Sequence, residues 1–317
     1  MTTSTVPEPT RRRWAAAGIL EYIRHPLKRS DLLTGLGFLA PSAIVLLVFV
    51  IVPVVSAFLL SFTKWELLSQ DRAFIGLENY IEFLRRPDLW RVIRNTLYFT
   101  VLKIPLDMAL SLSIAALLNQ KLRGQSLYRM AFFLPVITST VAVSAVWRWI
   151  YNPNLGLANS VLKLLGLPSQ TWLSDPDLAM PAVALVALWK GLGYDVVIFL
   201  AGLQNIPTVY LEAAQIDGAT GWQRFRHVVW PLLSPVTYFV LIMSVINSFK
   251  VFSQIHVLTP RGGPLGSTEV LVFHVYRLAF QEYHFGRAAA VAFVLFAIVT
   301  LLTVLQRRFI EPRVHYE

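Results

Sequence analysis

The sequence predicts an all-α integral membrane protein with six transmembrane helices. Hydrophobic residues make up 56% of the 317 residues and charged residues only 15%, whereas a soluble domain usually carries about 25% charged residues. The hydrophobic residues are gathered into six long runs, and basic residues flank the first and the last of them. Because so few charges would not cover a water-facing surface of this size, the chain is expected to lie in lipid.

Each of the six runs is long enough for a membrane-spanning helix, which needs about 20 apolar residues. The first run begins about 35 residues into the chain and is longer than the apolar core of a signal peptide, so we expect it to be retained in the membrane. The predicted spans cover residues 36–62, 92–118, 128–150, 178–203, 232–257 and 286–305.

The distribution of Lys and Arg predicts the orientation of these spans. With the N-terminus in the cytoplasm, the cytoplasmic segments carry more basic residues than the outer ones, as the positive-inside rule requires. Both termini are therefore predicted to be cytoplasmic. The predicted domains are a tail at 1–35, a transmembrane domain at 36–309 with its longest cytoplasmic connection at 204–231, and a tail at 310–317. An outer segment, 76–91, has the spacing of a short amphipathic helix.

Several classes of function lack their usual sequence signals. The chain has no cysteine, no Gly-x-x-x-x-Gly-Lys-Ser/Thr phosphate loop and no His-Glu-x-x-His or Gly-x-Ser-x-Gly motif. ATP binding by a phosphate loop and thiol chemistry are therefore not expected, and no catalytic residue, metal site or cofactor is predicted. Although the net charge is +10, basic residues cluster before the first apolar run and after the last, so the expected surroundings are membrane lipid and not nucleic acid.

The connection at 204–231 has the pattern of two short helices joined by a sharp turn. Pro207 is suited to a helix start, and Ala213 and Ala214 leave a helix face with little side-chain bulk. An Asp-Gly pair ending at Gly218 is a helix-ending signal that needs a positive φ. From this pattern alone, a docking element for a cytoplasmic partner and an ordinary amphipathic connection are equally good interpretations.

The same connection resembles the EAA loop of ABC-importer permeases. The residues that carry this resemblance are Glu212, Ala213, Ala214, Asp217, Gly218, Ala219, Phe225 and Pro231. One departure is Trp230, where the family usually has Leu. Weaker matches to the carbohydrate-uptake branch, on the side of the larger maltose permease subunit, lie within residues 74–80, 95–96, 123–159 and 258–268.

The resemblance implies the fold of type I ABC importer permeases and a division of labour in the bacterial plasma membrane. It implies a heterodimer with a second permease subunit, two ATP-binding cassette subunits that bind the ATP, and an extracytoplasmic solute-binding protein that delivers a sugar or sugar-like substrate. The EAA-loop residues would dock on the ATPase and couple its closure to the membrane helices.

Ionisable residues inside spans are costly and are therefore functional candidates. Lys103 and Asp107 are four residues apart on one helix face, which favours a structural ion pair. Lys190 and Lys250 lie in the fourth and fifth spans, where the resemblance places substrate contacts at Gly191, Tyr194, Ser244, Ser248 and Val251. Ser248 and Val251 depart from the Asn of the relatives. The predicted substrate path consists of Gly191, Tyr194, Ser244, Asn247, Ser248 and Lys250. A role in helix packing is the alternative for each position.

Other functions remain as alternatives at this stage. A permease for another solute class, such as amino acids or phosphate, would share the EAA loop. A secondary transporter would leave that loop without a role, and its usual inverted repeats are not visible in the sequence. A membrane enzyme would need clustered carboxylates or histidines near one interface, and none cluster in the sequence. The predicted function is therefore a transport subunit without its own catalytic centre.

Overall fold

The computed structural model describes residues 26–66, 72–120 and 123–314, in two units divided between residues 59 and 60. Most of the predicted N-terminal tail, residues 1–25, and the end of the C-terminal tail, residues 315–317, lie outside the described residues.

The described part of the first unit is helical. Helix α1 (Pro26–Leu46) continues through a π-helical turn (Leu47–Ile51) into α2 (Val52–Leu60). The stretch Thr34–Leu60 is long and apolar enough to cross a membrane, in agreement with the first predicted span. Because α1 starts at Pro26, the helix extends back into the predicted tail.

The second unit carries the other described helices. In chain order they are α3 (Glu78–Arg85), α4 (Pro87–Leu118), α5 (Gln125–Ile137), α6 (Thr140–Ile150), α7 (Leu157–Leu164), α8 (Pro176–Gln204), α9 (Thr208–Ile216), α10 (Gly221–Arg224), α11 (Trp230–Leu232), α12 (Ser234–Phe249), α13 (Ser253–Leu258), α14 (Leu271–Tyr276) and α15 (Phe285–Phe309). A short antiparallel pair, β1 (Thr63–Lys64) and β2 (Ala73–Phe74), precedes them.

The number of predicted spans is confirmed. Five helical stretches of the described chain are long and apolar enough to cross a membrane, and α5 with α6 forms a sixth, bent one. In the second unit the other four stretches are Pro87–Leu118, Pro176–Gln204, Ser234–Leu258 and Phe285–Arg313.

The predicted third span, residues 128–150, contains a sharp bend that the sequence does not predict. The axes of α5 and α6 differ by 97° across a break of two residues. Thr138 (φ −74°, ψ 151°) and Ser139 (φ −58°, ψ 129°) are extended, which stops the helix. Pro135 also removes one backbone donor from the last turn of α5. The third span is therefore two half-helices.

The fifth span is also interrupted within the predicted range 232–257. Helix α12 ends at Phe249, and α13 begins at Ser253. The backbone N–H of Lys250 donates to Asn247 O (3.2 Å) and that of Val251 to Ser248 O (3.4 Å), so the helix ends in a tighter turn. This turn falls in the polar stretch that the sequence assigns to the substrate path.

The predicted outer helix at 76–91 is shorter than expected. Helix α3 covers its first part, Arg86 is extended (ψ 134°), and α4 starts at Pro87. The buried residues of α3 are Asn79 and Phe83, whereas the apolar Ile81 and Leu84 stay exposed. The amide of Asn79 donates to Ser61 O (2.8 Å) and Thr63 O (2.9 Å), so hydrogen bonding determines which face of α3 is buried.

Helix α8 forms the centre of the second unit and packs against α4, α5 and α12. It is the most buried of the unbroken spans. Many of its buried residues are small, which lets neighbouring backbones approach closely. At Gly193 the approach is so close that a Cβ atom would overlap the carbonyl oxygen of Phe132 on α5.

A buried carboxylate ties the loop between α13 and α14 to α4. The side chain of Glu269 is 1% exposed and lies 3.2 Å from Arg91, 3.1 Å from Arg277 and 2.8 Å from His274. Asn95 of α4 donates to Gly266 O (2.8 Å) and to Glu269 O (3.1 Å). We call Glu269, Arg91, Arg277 and His274 the Glu269 cluster.

Candidate functional site

A polar cavity of about 470 Å3 lies between α4, the α5–α6 break, α8 and α12. The structure brings all of the predicted substrate-path residues to its wall. They are Gly191, Tyr194, Ser244, Asn247, Ser248 and Lys250. Val251, which the resemblance also indicated, lies there too. Residues from two spans, separated by about 50 positions in sequence, therefore face one space.

Two of these residues have polar side-chain groups without a partner among the described residues. The Ser248 side chain is buried, and its hydroxyl has no hydrogen-bond partner among the described residues. Lys250 is exposed, and its ammonium group forms no hydrogen bond or ion pair within the described part of the chain. Tyr194 is 42% exposed and adds an aromatic surface to the wall.

The predicted Lys103–Asp107 ion pair is present on α4. The Lys103 ammonium donates to Asp107, and both residues are buried. Asp195 of α8 interacts with this pair and with Ser244. Lys103 also borders the cavity. The pair is thus both structural and part of the cavity wall.

Sequence reasoning missed several wall residues, among them Asp195, Phe99, Thr140 and Gln254. Asp195 had a local signal, because it lies four residues after Gly191 and therefore on the same helix face. The other three come from α4, α6 and α13, and only the packing of these elements identifies them.

Lys190 is engaged by the backbone, unlike Lys250. Its Nζ atom donates to the carbonyl oxygens of Pro135 (3.1 Å), Val136 (3.3 Å) and Thr138 (3.0 Å). These carbonyls lie at the break between α5 and α6. Lys190 thus satisfies backbone acceptors that the broken helix leaves open.

The connection at 204–231 forms the short helix, turn and second helix that the sequence predicts. Helix α9 ends at Ile216 with Asp217 as its C-cap, and Gly218 has φ +76° as expected. The Ala219 N–H donates to Ala214 O (3.0 Å) and the Gly218 N–H to Gln215 O (3.1 Å). This pair of bonds is a Schellman motif, which satisfies the last carbonyls of α9. Pro207 sits at the N-cap, one position before the helix.

The second helix starts with a capping box. The Thr220 backbone N–H donates to Gln223 Oε1 (2.7 Å), and the Gln223 N–H donates to Thr220 Oγ1 (3.4 Å). A π-helical turn (Phe225–Val229) then leads into α11, which contains Pro231. Phe225 stacks on Trp222 (5.7 Å between ring centroids) and contacts Trp230 (6.3 Å). Trp230 thus extends an aromatic row toward the fifth span.

The outer surface of this element combines the motif residues with large apolar side chains. Glu212, Ala213, Asp217 and Gly218 are exposed, and Ala214 and Ala219 are half-buried. Three apolar side chains are also exposed: Val209 (68%), Ile216 (87%) and Trp222 (68%). The sequence does not identify these three as surface residues, because an apolar residue in an amphipathic pattern is expected to be buried. We call residues 208–225 the docking element.

Comparison with known proteins places the chain among transport proteins. Residues 108–316 match the family described as binding-protein-dependent transport system inner membrane component. The chain is 35% identical to the probable ABC transporter permease protein YesP of Bacillus subtilis, over 91% of this chain and 94% of that protein. It is 36% identical to the sn-glycerol-3-phosphate transport system permease protein UgpA of Brucella abortus, over 88% and 94% of the two chains.

Solved structures show the same fold. A chain of a bacterial ABC transporter involved in the import of the acidic polysaccharide alginate superposes with a TM-score of 0.77 at 24% identity, over 92% of this chain and 99% of that one. This agreement confirms the predicted importer-permease architecture. The family match and the named relatives show that the chain is a multi-pass transport subunit and not an enzyme. The chain belongs to the family of binding-protein-dependent transport system inner membrane components of ABC importers.

Proposed function

We propose that this chain pairs with a second permease subunit to form the translocation path for a sugar or sugar-like solute. The observation that carries this proposal is the polar cavity, which gathers the six substrate-path residues of α8 and of the α12 end. Its wall includes the Ser248 hydroxyl, which has no hydrogen-bond partner among the described residues, and the aromatic side chains of Tyr194 and Phe99. Sugars present hydroxyls for hydrogen bonds and apolar ring faces for aromatic side chains.

The names of relatives support the same substrate class. Besides UgpA, the chain is 33% identical to the arabinooligosaccharides transport system permease protein AraP of Bacillus subtilis. It is 34% identical to the trehalose/maltose transport system permease protein MalF of Thermococcus litoralis. The family description, which names a dependence on a binding protein, supports delivery of the solute by an extracytoplasmic binding protein.

The docking element is proposed to bind one of two ATP-binding cassette subunits, which supply the ATP site. Its exposed Ile216 lies three and four residues after Ala213 and Glu212, on the same face of α9. Trp222 on α10 is also exposed. Small residues allow close approach, and large apolar residues provide burial energy in a contact. Phe225 links this surface to Trp230 at the entry to the fifth span, so movement of the docking element would reach the wall of the cavity.

The predicted topology can be tested with reporter fusions. Fusions after Lys163 and after Gly263 should report an extracytoplasmic location, because both positions lie in segments predicted to be outside. A fusion after Gly218 should report a cytoplasmic location and serves as the control. A cytoplasmic signal at Lys163 or Gly263 would show that the orientation is reversed.

The substrate-path assignment can be tested by side-chain removal in the reassembled importer. Asn247→Ala and Tyr194→Ala should each reduce uptake about tenfold or more, because each removes a hydrogen-bonding group from the cavity. Uptake into proteoliposomes is measured with the cognate binding protein. Phe239→Ala on the same helix as Asn247 is the matched control, since Phe239 is 48% exposed and does not line the cavity. Unchanged uptake in both cavity variants would reject the assignment.

A further inference from the structure

The break in the third span creates a local problem of hydrogen bonding. Helix α5 ends at Ile137, and Thr138 and Ser139 are extended. The last carbonyls of a helix have no partner inside the helix. Within a membrane, such groups must find their partners in the protein or face a water-filled cavity. The end of α5 also carries the negative end of a helix dipole, equivalent to about half an elementary charge.

Lys190 of α8 meets both needs. Its ammonium group has three N–H donors, and the three carbonyl oxygens of Pro135, Val136 and Thr138 lie 3.0–3.3 Å from Nζ. The Thr138 hydroxyl adds a bond of 2.6 Å to the same Pro135 oxygen. With its donors engaged in this way, Lys190 neutralises the end of α5 and has little capacity left for a substrate.

The α8 backbone gives Lys190 a firm base. Three residues further along α8, Gly193 lies so close to the Phe132 carbonyl that any side chain would overlap it. The end of α5 is thus held on α8 at two points, one by close packing and one by the ammonium group. Val136 and Thr140, on either side of the break, both line the polar cavity. The angle of the break therefore determines the shape of this wall.

We propose that Lys190 is a positioning residue whose ammonium group holds the α5–α6 break in its bent arrangement. Lys250 lies in the same cavity but has no partner among the described residues. The two lysines therefore have different roles: Lys190 shapes the wall, and Lys250 remains available to a ligand. The effect on transport rests on the proposed function of the cavity, whereas the effect on the break does not.

The test measures the bend directly in the assembled importer in nanodiscs. The chain has no native cysteine, so spin labels can be placed at Met130 on α5 and Val146 on α6, which are 61% and 57% exposed. With cysteine-free partner subunits, the distance distribution between the labels reports the bend. Lys190→Met should broaden or shift this distribution, and Lys190→Arg, which retains charge and donors, should restore it. Lys250→Met, the matched control, should leave it unchanged.

Uptake kinetics separate the two proposals. Lys190→Met should lower the maximal uptake rate about tenfold with little change in KM, because the wall is distorted but no substrate contact is lost. An unchanged label distance in Lys190→Met would overturn the positioning role, and a raised KM with that unchanged distance would assign Lys190 to substrate binding. A changed distance with normal uptake would support the positioning role and reject the cavity as the path.

If Lys190→Met does not assemble, Lys190→Gln provides the same test. Its amide has two N–H donors and no charge, so it can serve at most two of the three carbonyls. We expect the label-distance distribution of Lys190→Gln to shift away from that of the wild type, because part of the hydrogen bonding at the break is lost. A wild-type distribution in Lys190→Gln would show that neither the charge nor the third hydrogen bond holds the break.

Discussion

Ala214→Trp and Gly218→Val should each abolish substrate-stimulated ATP hydrolysis by the reassembled importer, while the chain still inserts in the membrane. Ala214 is half-buried in the docking element, and an indole there would hold the partner surface away. Gly218 has φ +76°, a conformation that costs an L-residue about 1–2 kcal/mol and a β-branched residue more. The measurements are ATPase activity with loaded binding protein and co-purification of the ATPase subunit.

The effect of Gly218→Val depends on the turn and not on crowding. Apart from the two adjacent residues, no atom of the described residues lies within 4 Å of a Cβ atom built at Gly218, so the substitution introduces strain without a clash. That strain would break the Schellman bonds that end α9 and would change the angle between α9 and α10. Ile216 on α9 and Trp222 on α10 would then change their relative positions.

Gly166→Val is the matched control for this prediction. Gly166 follows α7, has φ +72° and also has open space around its Cβ position, so its substitution introduces similar strain far from the docking element in sequence. Ala214→Ser, which keeps the side chain small, controls for the alanine. Wild-type coupling in both Ala214→Trp and Gly218→Val would reject the docking role. Equal loss in Gly166→Val would show that the effect is general misfolding.

The features that the sequence predicted well are local ones. A membrane span follows from the composition of about 20 consecutive residues, and the turn at Gly218 follows from an Asp-Gly pair after a helical pattern. The break in the third span has no such local signal. Pro105 and Pro181 lie inside α4 and α8 without dividing them, so Pro135 alone did not identify the break. Its hydrogen-bond partner, Lys190, is more than 50 residues away in the sequence.

The same distinction applies to buried charges. Lys103 and Asp107 were paired from sequence because they are four residues apart on one helix. The sequence does not identify Glu269 as a buried charge, because a single acidic residue in a loop is usually solvated. Its partner Arg91 lies 178 residues earlier, and only the folded structure shows that the carboxylate is buried. Charge pairs between residues that are distant in sequence are therefore visible only in the folded structure.

Glu269→Ala should destabilise the chain far more than Glu82→Ala, although each glutamate has two arginine partners. Glu82 lies 3.0 Å from both Arg86 and Arg287 and is 34% exposed, whereas Glu269 is 1% exposed. Removing one partner of a buried ion pair costs about 3–5 kcal/mol, because uncompensated charge remains in a poorly solvated site. An exposed pair contributes about 0–1 kcal/mol, because water and salt screen it.

The measurement is thermal unfolding of the detergent-purified importer, followed by tryptophan fluorescence. Arg91 and Arg277 have side-chain exposures of 36% and 23%, and each keeps a second carboxylate partner, Asp88 at 2.8 Å and Glu282 at 3.2 Å. The cost of Glu269→Ala should therefore lie at the lower end of that range, at about 3 kcal/mol. Glu269→Gln keeps the side-chain volume and one carbonyl acceptor, so it should lie between Glu269→Ala and the wild type. Equal melting temperatures for Glu269→Ala and Glu82→Ala would show that the Glu269 cluster does not hold the loop on α4. The intermediate behaviour of Glu269→Gln separates the contribution of charge from that of packing, because the glutamine fills the same space without the negative charge that Arg91 and Arg277 face.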